Sequence, residues 1–292
     1  MISYNAKHWF KFIFQIHKAE TFRQLFPLMV GLSLYSAVIV YFMLNIIEVT
    51  PKSKIAGLSV VYSVLGFVIS MLLVFRTNTA YERWWEGRKI WGALVNCSRN
   101  LAIKLKVSLT DTDFYKKAIP LYSQTLRKHL QEHDSEIEDF HLLKIEKHQK
   151  HKPNAVAMQI WFKINEAHKD GKLNEAQLIT LNADWQQLTE ICGACERIKN
   201  TPIPFSYSAF IKKFLFFYTM FMPFAYVGTM EYMVIPLVIF IFYVLASIEL
   251  IAEEIENPFG LDPNDLPLEH LCGVIKNSVE EIFNSKSDNI KL

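Results

Sequence analysis

Three stretches of this chain carry almost no charge, and they limit what it can fold into more than any other feature. No Asp, Glu, Lys or Arg occurs from Gln24 to Ile47 or from Ile55 to Phe75, and only Glu231 interrupts the run from Phe214 to Ile248. A helix crossing a hydrocarbon core of about 30 Å needs roughly 17–25 mostly apolar residues. The first two stretches have that length. The third is too long for one crossing, and Glu231 divides it. The expectation is an all-α membrane protein with four transmembrane helices, at residues 24–47, 55–75, 207–230 and 233–251, arranged as two pairs around a large polar helical block.

Composition matters only through this segregation. The apolar share of 51% is little above that of a soluble protein. A net charge of +2 carries little information and does not suggest a nucleic-acid partner, which would need a basic face. Cys97, Cys192, Cys195 and Cys272 lie outside the expected spans and do not form the pattern of a secreted disulfide framework. Residues 1–23 set Trp9, Phe10, Phe12 and Phe14 among Lys7, Lys11 and Lys18, with no evident signal peptide. That segment reads either as an amphipathic helix at the membrane interface or as a helix packed on the polar block.

Span two is expected to stop at Arg76, where a basic, tryptophan-rich stretch begins (Arg83, Trp84, Trp85, Arg88, Lys89, Trp91), the mark of an interface anchor. The polar block, 76–200, has apolar positions at helical spacing in Ala155–Asn165 and Ala183–Ile198, with a loop at Lys147–Pro153. Thr201-Pro202-Ile203-Pro204 breaks the helix ahead of span three, and Gly228–Tyr232 forms a tight loop before span four. The C-terminal segment, 252–292, is acidic and then helical from about 267 to 285. Basic residues concentrate in the N-terminal flank and after Phe75, which places both termini and the block in the cytoplasm and the chain in the cell membrane.

Within span two, Ser59, Ser63, Phe67, Met71 and Phe75 recur at every fourth residue. On a helix they form one slowly drifting stripe. Small polar residues followed by bulky apolar ones suit a pore with a wettable mouth and a hydrophobic constriction. The same stripe suits helix packing or lipid contact, and pattern alone favours that plainer reading. Cys192-Gly-Ala-Cys195 has the spacing of a metal or redox pair but no second pair, so a buried structural pair is expected. His129 and His133 stand one helical turn apart and could chelate a metal, but a third ligand is not in view and solvated histidines are expected. The acidic residues Glu249, Glu253, Glu254, Glu256, Asp262 and Asp265 offer hard oxygen ligands. They lack the spacing of a calcium loop, and a helix end with carboxylates paired to the basic block is the expectation. No phosphate-binding loop, nucleophile–base set or haem signature is present, so neither an enzyme nor a cofactor is expected.

The segment Phe75–Gly92, FRTNTAYERWWEGRKIWG, resembles the signature block of bestrophins. Cys195–Tyr207, CERIKNTPIPFSY, resembles the bestrophin stretch that enters the third span, and Glu254–Leu268, EIENPFGLDPNDLPL, the acidic segment after the fourth. The three match in order and spacing and cover nearly the whole chain, on the short bacterial pattern. The resemblance implies a homopentameric ion channel with one central pore, in contact with the bilayer and with permeating monovalent ions. It implies a neck lined by Phe67, Met71 and Phe75, a mouth at Ser59 and Ser63, and a cytosolic aperture at Ala176, where relatives often carry a larger apolar residue. It also implies no calcium gating, because Asn257-Pro-Phe-Gly260 splits the acids that could otherwise hold calcium: Glu253, Glu254, Glu256, Asp262 and Asp265. Selectivity stays open between chloride-type anions and sodium-type cations. A secondary transporter and a non-conducting membrane adaptor are the alternatives from other classes.

Overall fold

The computed structural model describes residues 20–50, 58–132 and 150–285. Among these the chain is helical and without strands. Residues 1–19 of the expected N-terminal segment 1–23, the Lys52–Lys54 loop, His133 and Lys147–Gln149 lie outside the described residues.

The helices are α1 (Glu20–Asn45), α2 (Leu58–Ser108), α3 (Asp113–Leu130), α4 (Lys152–Lys169), α5 (Glu175–Asn200), α6 (Phe205–Met230), α7 (Val234–Glu256) and α8 (Leu268–Asn284). Three stretches are long and apolar enough to cross a membrane: Thr21–Asn45, Leu58–Ser108 and Phe205–Glu256. The third is split into α6 and α7 by a 3-10 turn at Glu231–Met233, where Glu231 has φ of 48°. That turn lets α7 fold back against α6. It lies later than the expected Gly228–Tyr232 loop, because Gly228–Met230 complete the last turn of α6.

The helix that carries span two does not end at Arg76. α2 runs on without a break to Ser108, 51 residues in all, or about 77 Å at 1.5 Å per residue. No Pro interrupts it, and Ala, Leu, Arg, Lys and Glu recur through the residues after Phe75. A charge marks the end of an apolar surface, not the end of a helix.

The chain divides into two compact units. One joins α1, residues 58–82 of α2, α6 and α7. Its core includes Val40, Ile69, Leu73, Met222 and Val238. The other joins residues 83–108 of α2 with α3, α4, α5 and α8 around Trp91, Leu101, Tyr122, Ile160 and Ile275. In this second unit, Asn174 opens α5 with a reciprocal cap. Its side chain accepts the N–H of Gln177 at 2.8 Å, and the Gln177 side chain accepts the N–H of Asn174 at 2.9 Å. All four cysteines are buried free thiols, as expected for the Cys192–Cys195 pair.

Candidate ion pathway

The stripe on α2 can be built from its packing. At 100° per residue, Tyr62, Gly66, Ile69, Leu73 and Arg76 fall on one face, and all but the part-covered Gly66 are buried. The Tyr62 hydroxyl donates to the carbonyl of Tyr218 on α6 at 2.8 Å, and the two rings stack with centroids 5.0 Å apart. Gly66 lies under the Tyr218 hydroxyl, so close that an added Cβ would sit 2.7 Å from its oxygen. Arg76, only 1% exposed, places Nη2 2.7 Å from Glu256 and Nε 3.6 Å from Glu249 on α7. The other oxygen of Glu256 accepts the N–H of Ile203 at 2.7 Å. These anchors fix the rotation of α2 in its unit.

With the rotation fixed, the opposite face is set as well. Phe67, Met71 and Phe75 are 70%, 48% and 50% exposed, and Met71 falls roughly 180° from the centre of the buried face. Ser63 is also exposed and Ser59 half-buried, and the Ser63 hydroxyl donates to the Ser59 carbonyl at 3.0 Å. The stripe is therefore on the surface of the folded chain and is not a packing stripe within it. Such a run of large apolar side chains is left for lipid or for other copies of the chain to cover.

The family model described as bacterial and fungal bestrophin protein matches residues 1–281. This chain belongs to the bestrophin family. It is similar to a voltage-dependent anion channel-forming protein of a Nostoc species, at 34% identity over 98% of this chain and 94% of that protein. It is also similar to the voltage-dependent anion channel-forming protein YneE of Escherichia coli, at 30% identity over 94% and 92%. Among solved structures, a bacterial bestrophin homolog from Klebsiella pneumoniae superposes with a TM-score of 0.78 at 25% identity, over 88% of this chain and 98% of that one. Family and apolar helices together make this bestrophin a membrane protein.

The bestrophin's acidic residues do not converge on one ion. Glu253 binds Lys212, with both oxygens 2.8 Å from Nζ, and Glu256 is engaged by Arg76 and Ile203. Asp265 is buried and accepts the N–H of Asp262 at 2.7 Å, inside a turn so tight that a Cβ on Gly260 would meet its Oδ2 at 2.6 Å. The expected pairing with the basic block holds for Glu249 and Glu256 through Arg76. It does not hold for Glu253, whose partner Lys212 is on α6. Ala176 is exposed in the first turn of α5, and Ile179, one turn further on, is a large exposed apolar side chain that sequence reasoning passed over.

The expectation of solvated histidines at His129 needs correction. His129 is part-buried, and its Nε2 lies 2.7 Å from Glu196 Oε1, which His151 Nε2 approaches to 2.8 Å. Partial burial of Glu196 opposes its ionisation. The hydrogen bonds and charge of His129 and His151 outweigh that burial and hold the carboxyl below its usual range.

Proposed function

We propose that this bestrophin is a homopentameric ion channel that passes small monovalent ions passively through a central pore, with Phe67, Met71 and Phe75 forming its neck. The observation that carries the reading is that these three side chains lie exposed together on the face of α2 turned away from its packing partners. Five copies arranged around an axis would bring fifteen such side chains together. A narrow apolar ring sheds water and so gates by dewetting. Successive members of the stripe turn by about 40°, so α2 is inclined to the pore axis if all three are to face it. Ser59 and Ser63 form the wettable mouth.

Four membrane crossings, α1, the first part of α2, α6 and α7, put both termini and the polar unit on the cytoplasmic side of the cell membrane. Ala176 marks a wide cytosolic aperture, with Ile179 supplying the larger apolar side chain nearby. The names of the Nostoc and Escherichia coli relatives make chloride the first ion to test. The neck has no charge to choose the sign. Aromatic edges favour anions and faces favour cations.

The test is planar-bilayer current from purified protein with unequal salt on the two sides. A current that reverses near the chloride equilibrium potential identifies an anion channel, and one near the sodium potential a cation channel. Silence from a well-folded oligomer contradicts the channel reading and favours the adaptor. Saturating flux that depends on a co-substrate favours the transporter.

A further inference from the structure

We propose that His129, His151 and Glu196 form a binding site for one transition-metal dication of the zinc, nickel or cobalt class. The proposal is independent of the channel reading. The three residues come from separate places in the sequence: the last turn of α3, the residue that caps α4, and the final third of α5. Each offers one ligand atom, and all three atoms lie within 4.8 Å of one another. The imidazole rings lie side by side with centroids 4.8 Å apart, and both Nε2 atoms approach the same carboxylate oxygen.

Two histidines and one carboxylate are a ligand set that zinc uses with a further position left to water. Metal–ligand bonds of about 2.0–2.2 Å put tetrahedral neighbours roughly 3.3–3.6 Å apart. Glu196 Oε1 stands at 2.7 Å and 2.8 Å from the two nitrogens, so a small rotation of the carboxylate opens the space. The side chains of His129, His151 and Glu196 are 29%, 35% and 28% exposed, which leaves a path for the ion and its water. Imidazole nitrogen selects against calcium and magnesium, which take oxygen ligands.

The surroundings set the terms of binding. The Lys199 ammonium donates to the His129 carbonyl at 3.4 Å and is engaged by Glu132 at 2.9 Å. Cys192 lies one turn before Glu196 on α5. Burial first, and then the Glu196 charge, push its thiol up to about 12 in the metal-free protein. His151 Nδ1 accepts the N–H of Asn154 at 3.2 Å, capping α4. A neutral ring that accepts at Nδ1 carries its proton on Nε2. A metal at Nε2 displaces that proton, and a ring reprotonated at Nδ1 gives up the cap. Metal uptake is therefore coupled to loosening of the first turn of α4.

The test is equilibrium dialysis of the purified, tag-free full chain against buffered zinc chloride, with bound metal quantified and cobalt absorption as a second probe. The expected result is one zinc per chain, weakened about tenfold or more in both H129A and E196Q and unchanged in H270A, which alters an exposed histidine on α8. Folding of each variant is checked by thermal unfolding in chelator. H129N and H151Q, closer in size to the native residues, replace any alanine variant that does not fold. Folded wild-type protein that takes up no zinc overturns the proposal. So does equal uptake by wild type, H129A and E196Q.

Discussion

The guanidinium of Arg76 meets the carboxylate of Glu256 at 2.7 Å, with Arg76 1% exposed and Glu249 3.6 Å away on the same helix as Glu256. Arg76 directly follows Phe75, the last residue of the stripe. Removing Arg76 would leave Glu249 buried without its cation, and breaking a buried pair costs about 3–5 kcal/mol. Arg76→Ala is therefore expected to lower unfolding stability by about that amount, and Glu256→Gln by less, because the amide oxygen still accepts the Ile203 N–H. Thermal unfolding in detergent checks both. Equal stability of Arg76→Ala and wild type would remove the pair from its anchoring role.

Gly66 reports the contact between α2 and α6. A Cβ there would stand 2.7 Å from the Tyr218 hydroxyl oxygen, and overpacking of this kind costs about 1–3 kcal/mol. Gly66→Ala is expected to destabilise by that amount, and Gly66→Ala/Tyr218→Phe to recover much of it because the clashing oxygen is gone. A double-mutant cycle measures the recovery. Additive losses would mean that the two residues do not meet.

Buried thiols give the protein an alkaline limit. Burial is the largest influence on Cys272. It raises the thiol from 9.0 to about 11, against smaller opposing contributions from Ser123 and Arg127. A folded-state pKa above the unfolded one gives stability that is complete below pH 9.0 and lost as pH rises towards about 11. Denaturant titrations across that window are expected to show falling stability, with a shallower fall in Cys272→Ala. The same burial predicts slow alkylation of the native protein and rapid alkylation once it is unfolded.

Glu196 gives an acid limit of the opposite sign. Its carboxyl is held below the usual range, so its contribution is present above the unfolded carboxylate pKa and lost as pH falls through the folded value. Glu196→Gln is expected to remove that part of the acid dependence. Identical acid-unfolding profiles for wild type and Glu196→Gln would contradict the assignment.

The apolar helices were legible because hydrocarbon solvation acts on every residue of a span, and the charge-free runs record it directly. The recurrence at Ser59, Ser63, Phe67, Met71 and Phe75 was legible for the same local reason. Which face of α2 is packed was not, since it depends on Tyr218, Glu249 and Glu256, far along the chain. Arg76 marks the end of the apolar run in the sequence, but its partners Glu249 and Glu256 are far along the chain and leave no local trace beside it. His129 likewise showed only its neighbour His133, while the carboxylate it meets is 67 residues away and the ring it meets is that of His151. Pairs drawn from separate helices leave no periodic trace in a single sequence.

The neck is tested most directly by the single-channel conductance of Phe67→Ala/Met71→Ala/Phe75→Ala beside wild type, in planar bilayers at matched oligomer content. Truncating three exposed apolar side chains per chain widens and wets the constriction, so larger unit conductance and longer open time are predicted. Unchanged unit conductance and gating in the folded triple variant would contradict the placement of Phe67, Met71 and Phe75 at the gate.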